Sequence, residues 1–176
     1  MSCSLVGSEM CIRDSIEYRG FEIDGVYTMT DTVTMVASLG YVHSKYKNLI
    51  SDLTGDFIID ALDYALEVPR AAPLTYSFGF NIDGNLGTWR SITRISYYHR
   101  DKSYYNENNQ GFINEQDILN FGYDIYSSDG KINIGIYGKN LSNEVKHGGD
   151  TNLSFGGTFA PLAKGKIVGA ELVYKF

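Results

Sequence analysis

The sequence predicts an all-β protein, an antiparallel up-and-down sheet of about seven strands that forms part of a larger transmembrane β-barrel. Three observations predict it. Apolar residues recur at every second position through seven separate segments, which is the side-chain period of an extended chain. Short polar turns and long polar loops alternate strictly between those segments, which puts all the long loops at one end of the sheet. The last segment, Gly165 to Phe176, lines up Val168, Ala170, Leu172, Tyr174 and Phe176 on one face and ends on a bare aromatic, where chain termini are usually polar.

Composition agrees and excludes two classes. The 176 residues include 14 Tyr, 9 Phe and 19 Gly against one Trp and three Pro, a balance that favours strands and tight turns over helices. A net charge of −6 and a pI near 5.0 leave no basic footprint for nucleic acid. No run approaches the roughly 18 apolar residues of a membrane-spanning helix, which excludes a helical membrane protein. A barrel stays open, because its lipid-facing residues alternate with polar ones.

Residues 1–15 read differently from the rest. They hold both cysteines, show no sustained alternation and lack the basic start and apolar stretch of a secretory signal. Glu9-Met10-Cys11-Ile12-Arg13-Asp14-Ser15 resembles translated sequencing-adapter sequence. The expectation is that 1–15 is non-native or disordered, that 16–176 is the C-terminal part of a barrel, itself truncated, and that the cysteines say nothing about disulfides or metal.

The first strand runs from Ile16 to Met29, with Phe21, Ile23, Gly25, Tyr27 and Met29 on one face and Glu22, Asp24 and Thr28 on the other. Thr30-Asp31-Thr32 turns the chain into a second strand lined by Val33, Met35, Ala37, Leu39 and Tyr41. Alternation then stops, and 44–73 reads as a long loop with a short helix over Asp56 to Glu67. Leu74, Tyr76, Phe78, Phe80 and Ile82 give the cleanest alternation, and 83–86, beginning Asp83-Gly84-Asn85, reads as the turn after it. The fourth strand, Gly87 to Tyr98, is ambiguous, since Trp89, Ile95 and Tyr97 share one parity and Ile92 takes the other. A long loop follows over 99–116. Leu119, Phe121, Tyr123 and Ile125 line a fifth strand, 127–131 turns the chain, and Ile132, Ile134 and Ile136 line a sixth. The third long loop covers 140–164 and leads to the closing strand.

Catalytic and metal chemistry find no footing in this text. His43, His99 and His147 are dispersed and fit no metal-ligand spacing. Glu22 and Asp24 share a strand face, as a general acid/base pair would, but on a barrel that face is a wet lumen. There is no Gly-x-Ser-x-Gly elbow. No enzyme activity, cofactor or metal is assigned. Tyr41, Tyr76, Tyr97, Tyr98, Tyr123 and Phe176 suit an aromatic girdle at a membrane interface, or ordinary sheet packing.

Gly138-Lys139-Asn140-Leu141-Ser142-Asn143-Glu144 leaves the sixth strand, and Glu171-Leu172-Val173-Tyr174-Lys175-Phe176 ends the chain. This pairing resembles the C-terminal part of TonB-dependent outer-membrane receptors, which carry Gly-x-Asn-Leu-Thr-Asp-Glu after the penultimate strand and an aromatic-x-Phe terminus. Val68-Pro69 is similar to the step by which that family re-enters its barrel. The chain departs from the pattern at Ser142, Asn143 and Pro161-Leu162, which leaves the subfamily open.

The resemblance implies active uptake of a scarce nutrient, such as an iron-siderophore complex, through a plugged barrel in the outer membrane of a Gram-negative bacterium. It implies the C-terminus on the periplasmic side and the long loops outside, where they capture an extracellular small-molecule ligand. Gly138, Asn140, Leu141 and Glu144 are the motif residues, Leu172, Tyr174 and Phe176 belong to the terminal strand read by the barrel-assembly machinery, and Tyr104, Tyr105 and Asn106 are the loop candidates for touching ligand. Outer-membrane lipid, the N-terminal plug domain and TonB are the other implied partners. Two rivals stand beside it: a soluble β-barrel or sandwich that binds a small ligand inside, with its apolar face turned inward, and a porin-like barrel without a plug.

Overall fold

A computed structural model describes residues 15–146, 151–153 and 157–176. Of the foreign-looking segment 1–15, residues 1–14, with both cysteines, lie outside the described residues, as does His147, while Ser15 begins the first strand.

Among the described residues, eleven strands and one helical turn follow in the order β1 (Ser15–Thr30), β2 (Val33–Asn48), α1 (Ala61–Tyr64), β3 (Leu74–Leu86), β4 (Trp89–Arg100), β5 (Ser103–Tyr104), β6 (Phe112–Ile113), β7 (Gln116–Tyr126), β8 (Ile132–Lys139), β9 (Thr151–Leu153), β10 (Gly157–Phe159) and β11 (Ile167–Tyr174). Seven of them make one sheet in the order β1-β2-β3-β4-β7-β8-β11, every strand antiparallel to the one before it. β5 with β6, and β9 with β10, form small separate hairpins inside the long connections.

Register gives the sheet two unlike faces. Phe21 opposite Tyr41, Leu39 opposite Tyr76, Phe78 opposite Tyr97, Ile95 opposite Phe121, Tyr123 opposite Ile136 and Ile134 opposite Leu172 form a continuous apolar face from β1 to β11. The other face is held by polar cross-strand pairs: Ser38 with Ser77 at 2.7 Å, Asp83 with Arg90 at 2.6 Å, Arg94 with Asp124, and Ser96 with Asn120 at 3.3 Å. Among the described residues no layer covers the apolar face: Ile23 is 59 % exposed, Leu172 71 % and Phe176 fully exposed. The buried hydrophobic residues, Tyr46, Leu49, Val68, Ala72 and Ile113, belong instead to the loop end and the loops beyond it.

Several boundaries depart from the sequence expectation, each for a physical reason. β2 continues to Asn48 rather than stopping near Tyr41, because β1 pairs with it as far as Ser15; the outward residues there are Arg19, Glu17 and Lys45, so hydrophobic alternation is blind to it. Asp83 to Asn85 remain in β3, and the chain turns at Gly87-Thr88, where Gly87 takes φ +63° and Leu86 pairs with Trp89. A glycine at the first position of a two-residue hairpin matches the right-handed twist of the strands. β4 settles its ambiguity with Trp89, Ile95 and Tyr97 on the apolar face and Ile92 on the polar one; Tyr98, grouped above with the girdle, also lies on the polar face. The helix shrinks to one turn capped by Asp60, because the backbone donors before it are taken by carboxylates instead of a helical ladder.

Candidate functional site

Residues 49–73, 101–115 and 140–166 connect the strands at one end of the sheet, and the short turns lie at the other. The first of these connections is built around two carboxylates. Asp63, completely buried, accepts N–H bonds from Leu53 (2.8 Å), Thr54 (2.9 Å) and Asp60 (2.9 Å). These donors, the Asp60 N–H foremost, hold its carboxyl below the usual range although burial pushes the other way. Asp52 accepts from Gly55 (2.8 Å) and Phe57 (2.5 Å), fixing Phe57 at φ +70° with its ring in solvent. Below them Tyr46, Leu49 and Val68 pack together with Leu53, Leu66 and Ala71, which seats the loop on the sheet.

The second connection is latched to the first. Asn109, in the left-handed region at φ +55°, accepts from the Glu67 N–H and donates to the Glu67 carbonyl, both at 2.8 Å. The Arg70 N–H donates to the Tyr104 carbonyl at 2.7 Å, and the Arg70 guanidinium lies 4.8 Å from the Tyr105 ring centre. Lys102 lies over Tyr104 and Phe112. Tyr104, Tyr105 and Asn106, the candidates for touching ligand, thus sit at this junction, half-buried, with the Asn106 carbonyl accepting from the Asn109 N–H at 3.1 Å.

The third connection begins in the motif after β8. Asn140, buried at φ +51°, donates through Nδ2 to the carbonyls of Glu144 (3.1 Å) and Lys164 (2.8 Å), and its Oδ1 accepts from the Glu144 N–H (2.9 Å). Ser142 Oγ donates to the Asp117 carbonyl at 2.5 Å and Asn143 Oδ1 accepts from the Lys166 N–H at 3.0 Å. Leu141 folds back over Gly138, where an added Cβ would come within 2.6 Å of the leucine side chain. Gly138, Asn140, Leu141 and Glu144 are therefore brought together as a clasp joining β7, β8 and the start of β11. Lys146 bonds Glu144 at 2.7 Å and lies 3.7 Å from Glu115 of the second connection; the Glu144 carboxylate raises its pKa.

Leu172, Tyr174 and Phe176 lie apart from all this, on the apolar face of the edge strand, with the rings of Tyr174 and Phe176 edge to face at 5.0 Å. Sequence reasoning missed Asp63, Arg70 and Asn109; the only signal for Asn109 was an Asn-rich loop, which marks turns without naming which amide closes one. Among the described residues no three His, Cys, Asp or Glu side chains are grouped to hold a metal ion, and no helix is long and apolar enough to cross a membrane. The arrangement can present polar and aromatic side chains on a braced platform above a polar sheet face.

No family model and no curated protein matches the chain. Several solved structures are similar to it, and two illustrate the likeness. The ferric yersiniabactin uptake receptor FyuA from Yersinia pestis superposes with a TM-score of 0.76 at 14 % identity, over 92 % of this chain and 24 % of that one. BauA, the ferric preacinetobactin receptor from Acinetobacter baumannii, gives 0.70 at 13 % identity, over 92 % and 22 %. The chain spans about a quarter of the length of these proteins, and what it has in common with them is the fold of an antiparallel up-and-down barrel wall with its connecting loops.

Proposed function

We propose that the chain is a C-terminal part of the barrel of a TonB-dependent outer-membrane receptor, which takes up a scarce nutrient such as an iron-siderophore complex. The observation that carries this reading is the uncovered apolar face running through all seven strands, with polar pairs on the opposite face. In a soluble ligand-binding barrel the apolar face is buried against its own sheet; here it is uncovered, as a wall against lipid requires. The likeness to two ferric-siderophore receptors supports the choice of nutrient class.

In this reading the polar face lines the lumen and meets the plug, the short turns are periplasmic, and the braced loops face outside to capture ligand. The barrel wall does no chemistry on its cargo. The test is uptake by cells carrying the full-length gene, under iron limitation, with a panel of ferric siderophores. Uptake that disappears when TonB is deleted is the expected result. Recovery of the protein from the soluble fraction, unfolding cooperatively without detergent, would overturn the reading. Upstream sequence without a plug domain would turn it toward a diffusion porin.

A further inference from the structure

The loop end of the first hairpin carries a cluster of charges on the sheet's apolar face, on which β4 and β7 carry the His99–Asp117 pair. Arg19 pairs with His43, and Glu17 with Lys45, in the same register that sets Phe21 opposite Tyr41, so these charged residues continue the apolar face toward the loops. Lys47 stands at the bulge where the register shifts from Tyr46 to Asn48, and its Nζ reaches back to Glu17. The Glu17 carboxylate accepts from Arg19 at 2.5 and 2.6 Å and lies 2.8 Å from Lys47 Nζ and 3.7 Å from Lys45 Nζ. Three cations around one carboxylate leave a net charge of +2. Glu17 is the covered member, with a side chain 23 % exposed, while Arg19, Lys45 and Lys47 are 72, 44 and 47 % exposed.

Along this outward face the order is therefore an apolar band, a pair of aromatic rings 5.8 Å apart, and then a positive cluster. At a bilayer boundary aromatic rings sit at the level of the headgroups, and basic side chains beside them attract anionic lipid. The opposite end of the same hairpin, Thr30-Asp31-Thr32-Val33, has no basic residue, so within this hairpin the positive charge is confined to the loop end. A cluster that served only to tie β1 to β2 would need one cation for Glu17; the other two are in excess.

We propose that Arg19, Lys45 and Lys47 form a docking site for the phosphate-bearing headgroup of a lipid in the leaflet at the loop end, its acyl chains lying along Phe21, Ile23 and Leu39. The proposal rests on the membrane-barrel reading above. Arg19 offers a planar fork to phosphate oxygens, and the two lysines act as point charges. Glu17 steers the cations into one cluster and repels the headgroup, so its removal strengthens binding.

The test uses the full-length protein in a neutral detergent, with bound lipid read by native mass spectrometry. The probes are lipid A carrying both phosphates, the same lipid dephosphorylated, and inorganic phosphate. Replacing all three cations, Arg19→Gln with Lys45→Gln and Lys47→Gln, is expected to weaken binding of the phosphorylated lipid by about tenfold or more. The dephosphorylated lipid should bind both proteins alike, and Glu17→Gln, which keeps every cation, should bind the phosphorylated lipid more tightly than the wild type. Equal binding of phosphorylated lipid by wild type and triple variant overturns the site, and so does an equal loss for both lipids. Displacement by inorganic phosphate at matching concentration overturns the lipid in favour of a free anion. Extraction of isolated membranes with urea separates the two readings. If the wild type is extracted, the barrel reading falls and this site with it; if it stays and the lipid affinities are equal, this site alone falls.

Discussion

Asn140 does the work of a short strand with one amide. Its side chain mimics the backbone, donating to two carbonyls and accepting an N–H from segments that are 4 and 24 residues away. Replacing it with alanine leaves those buried groups unpaired and puts a Cβ without a compensating hydrogen bond at φ +51°. Asn140→Ala is expected to lower the stability of the full-length protein by about 2–4 kcal/mol. Asn140→Gly, which keeps the backbone at ease, should lose less. The urea midpoint for unfolding in micelles measures both, and equal midpoints for wild type and alanine variant would refute the clasp. The motif itself was legible in the sequence as a turn, since asparagine tolerates the left-handed region. Its long bond to Lys164 was not, because nothing local encodes which carbonyl returns to that place.

Elements were legible in proportion to how sharply water and apolar surroundings divide them. β3, with an unbroken alternation from Leu74 to Ile82, lies on the sheet as the pattern requires, whereas the far end of β2, with Ser44, Lys45, Lys47 and Asn48, reads as loop. The loop over 49–73 was opaque for another reason: its order comes from carboxylates that satisfy backbone donors, and an aspartate in a loop looks the same in sequence whether it faces water or folds inward. That difference has a pH signature. Asp63 has a lower pKa folded than unfolded, so its contribution is complete above the ordinary carboxylate value and is lost as pH falls below it toward the depressed one. Amide protection factors at Leu53, Thr54 and Asp60 are expected to fall as pH drops below about 4 while those of β3 and β4 hold. Asp63→Asn should flatten that dependence, and a flat wild-type profile would count against this account of the loop.

At the scale of the whole molecule, the sheet has one covered end and two open edges, β1 and β11. Exposed edges with unpaired N–H and C=O groups cannot rest in lipid, so in a closed barrel each finds a partner strand. Phe176 stands at the turn end of β11, outside any packing except the Tyr174 ring. Its deletion removes no buried contact from this sheet, yet in the proposed receptor it removes the residue by which assembly recognises the last strand. Outer-membrane levels of the full-length protein are expected to drop on that deletion, with unchanged levels counting against the role. The sidedness of the molecule was legible from loop lengths and parity alone, since both are written locally. The bracing between loops was not, because Glu67 and Asn109 are 42 residues apart and neither has a pattern of its own.

The foot of the third loop has a consequence of another kind. The Ala163 N–H donates to the Lys146 carbonyl at 2.9 Å, just above the clasp where Asn140 holds Lys164 and Asn143 holds Lys166. The two ends of the loop are thus pinned together before the segment between them begins, and the entropy of closing it depends only weakly on how many residues it contains. Segments of other lengths, or a grafted peptide, exchanged between Lys146 and Ala163 are therefore expected to leave the register of the wall unchanged.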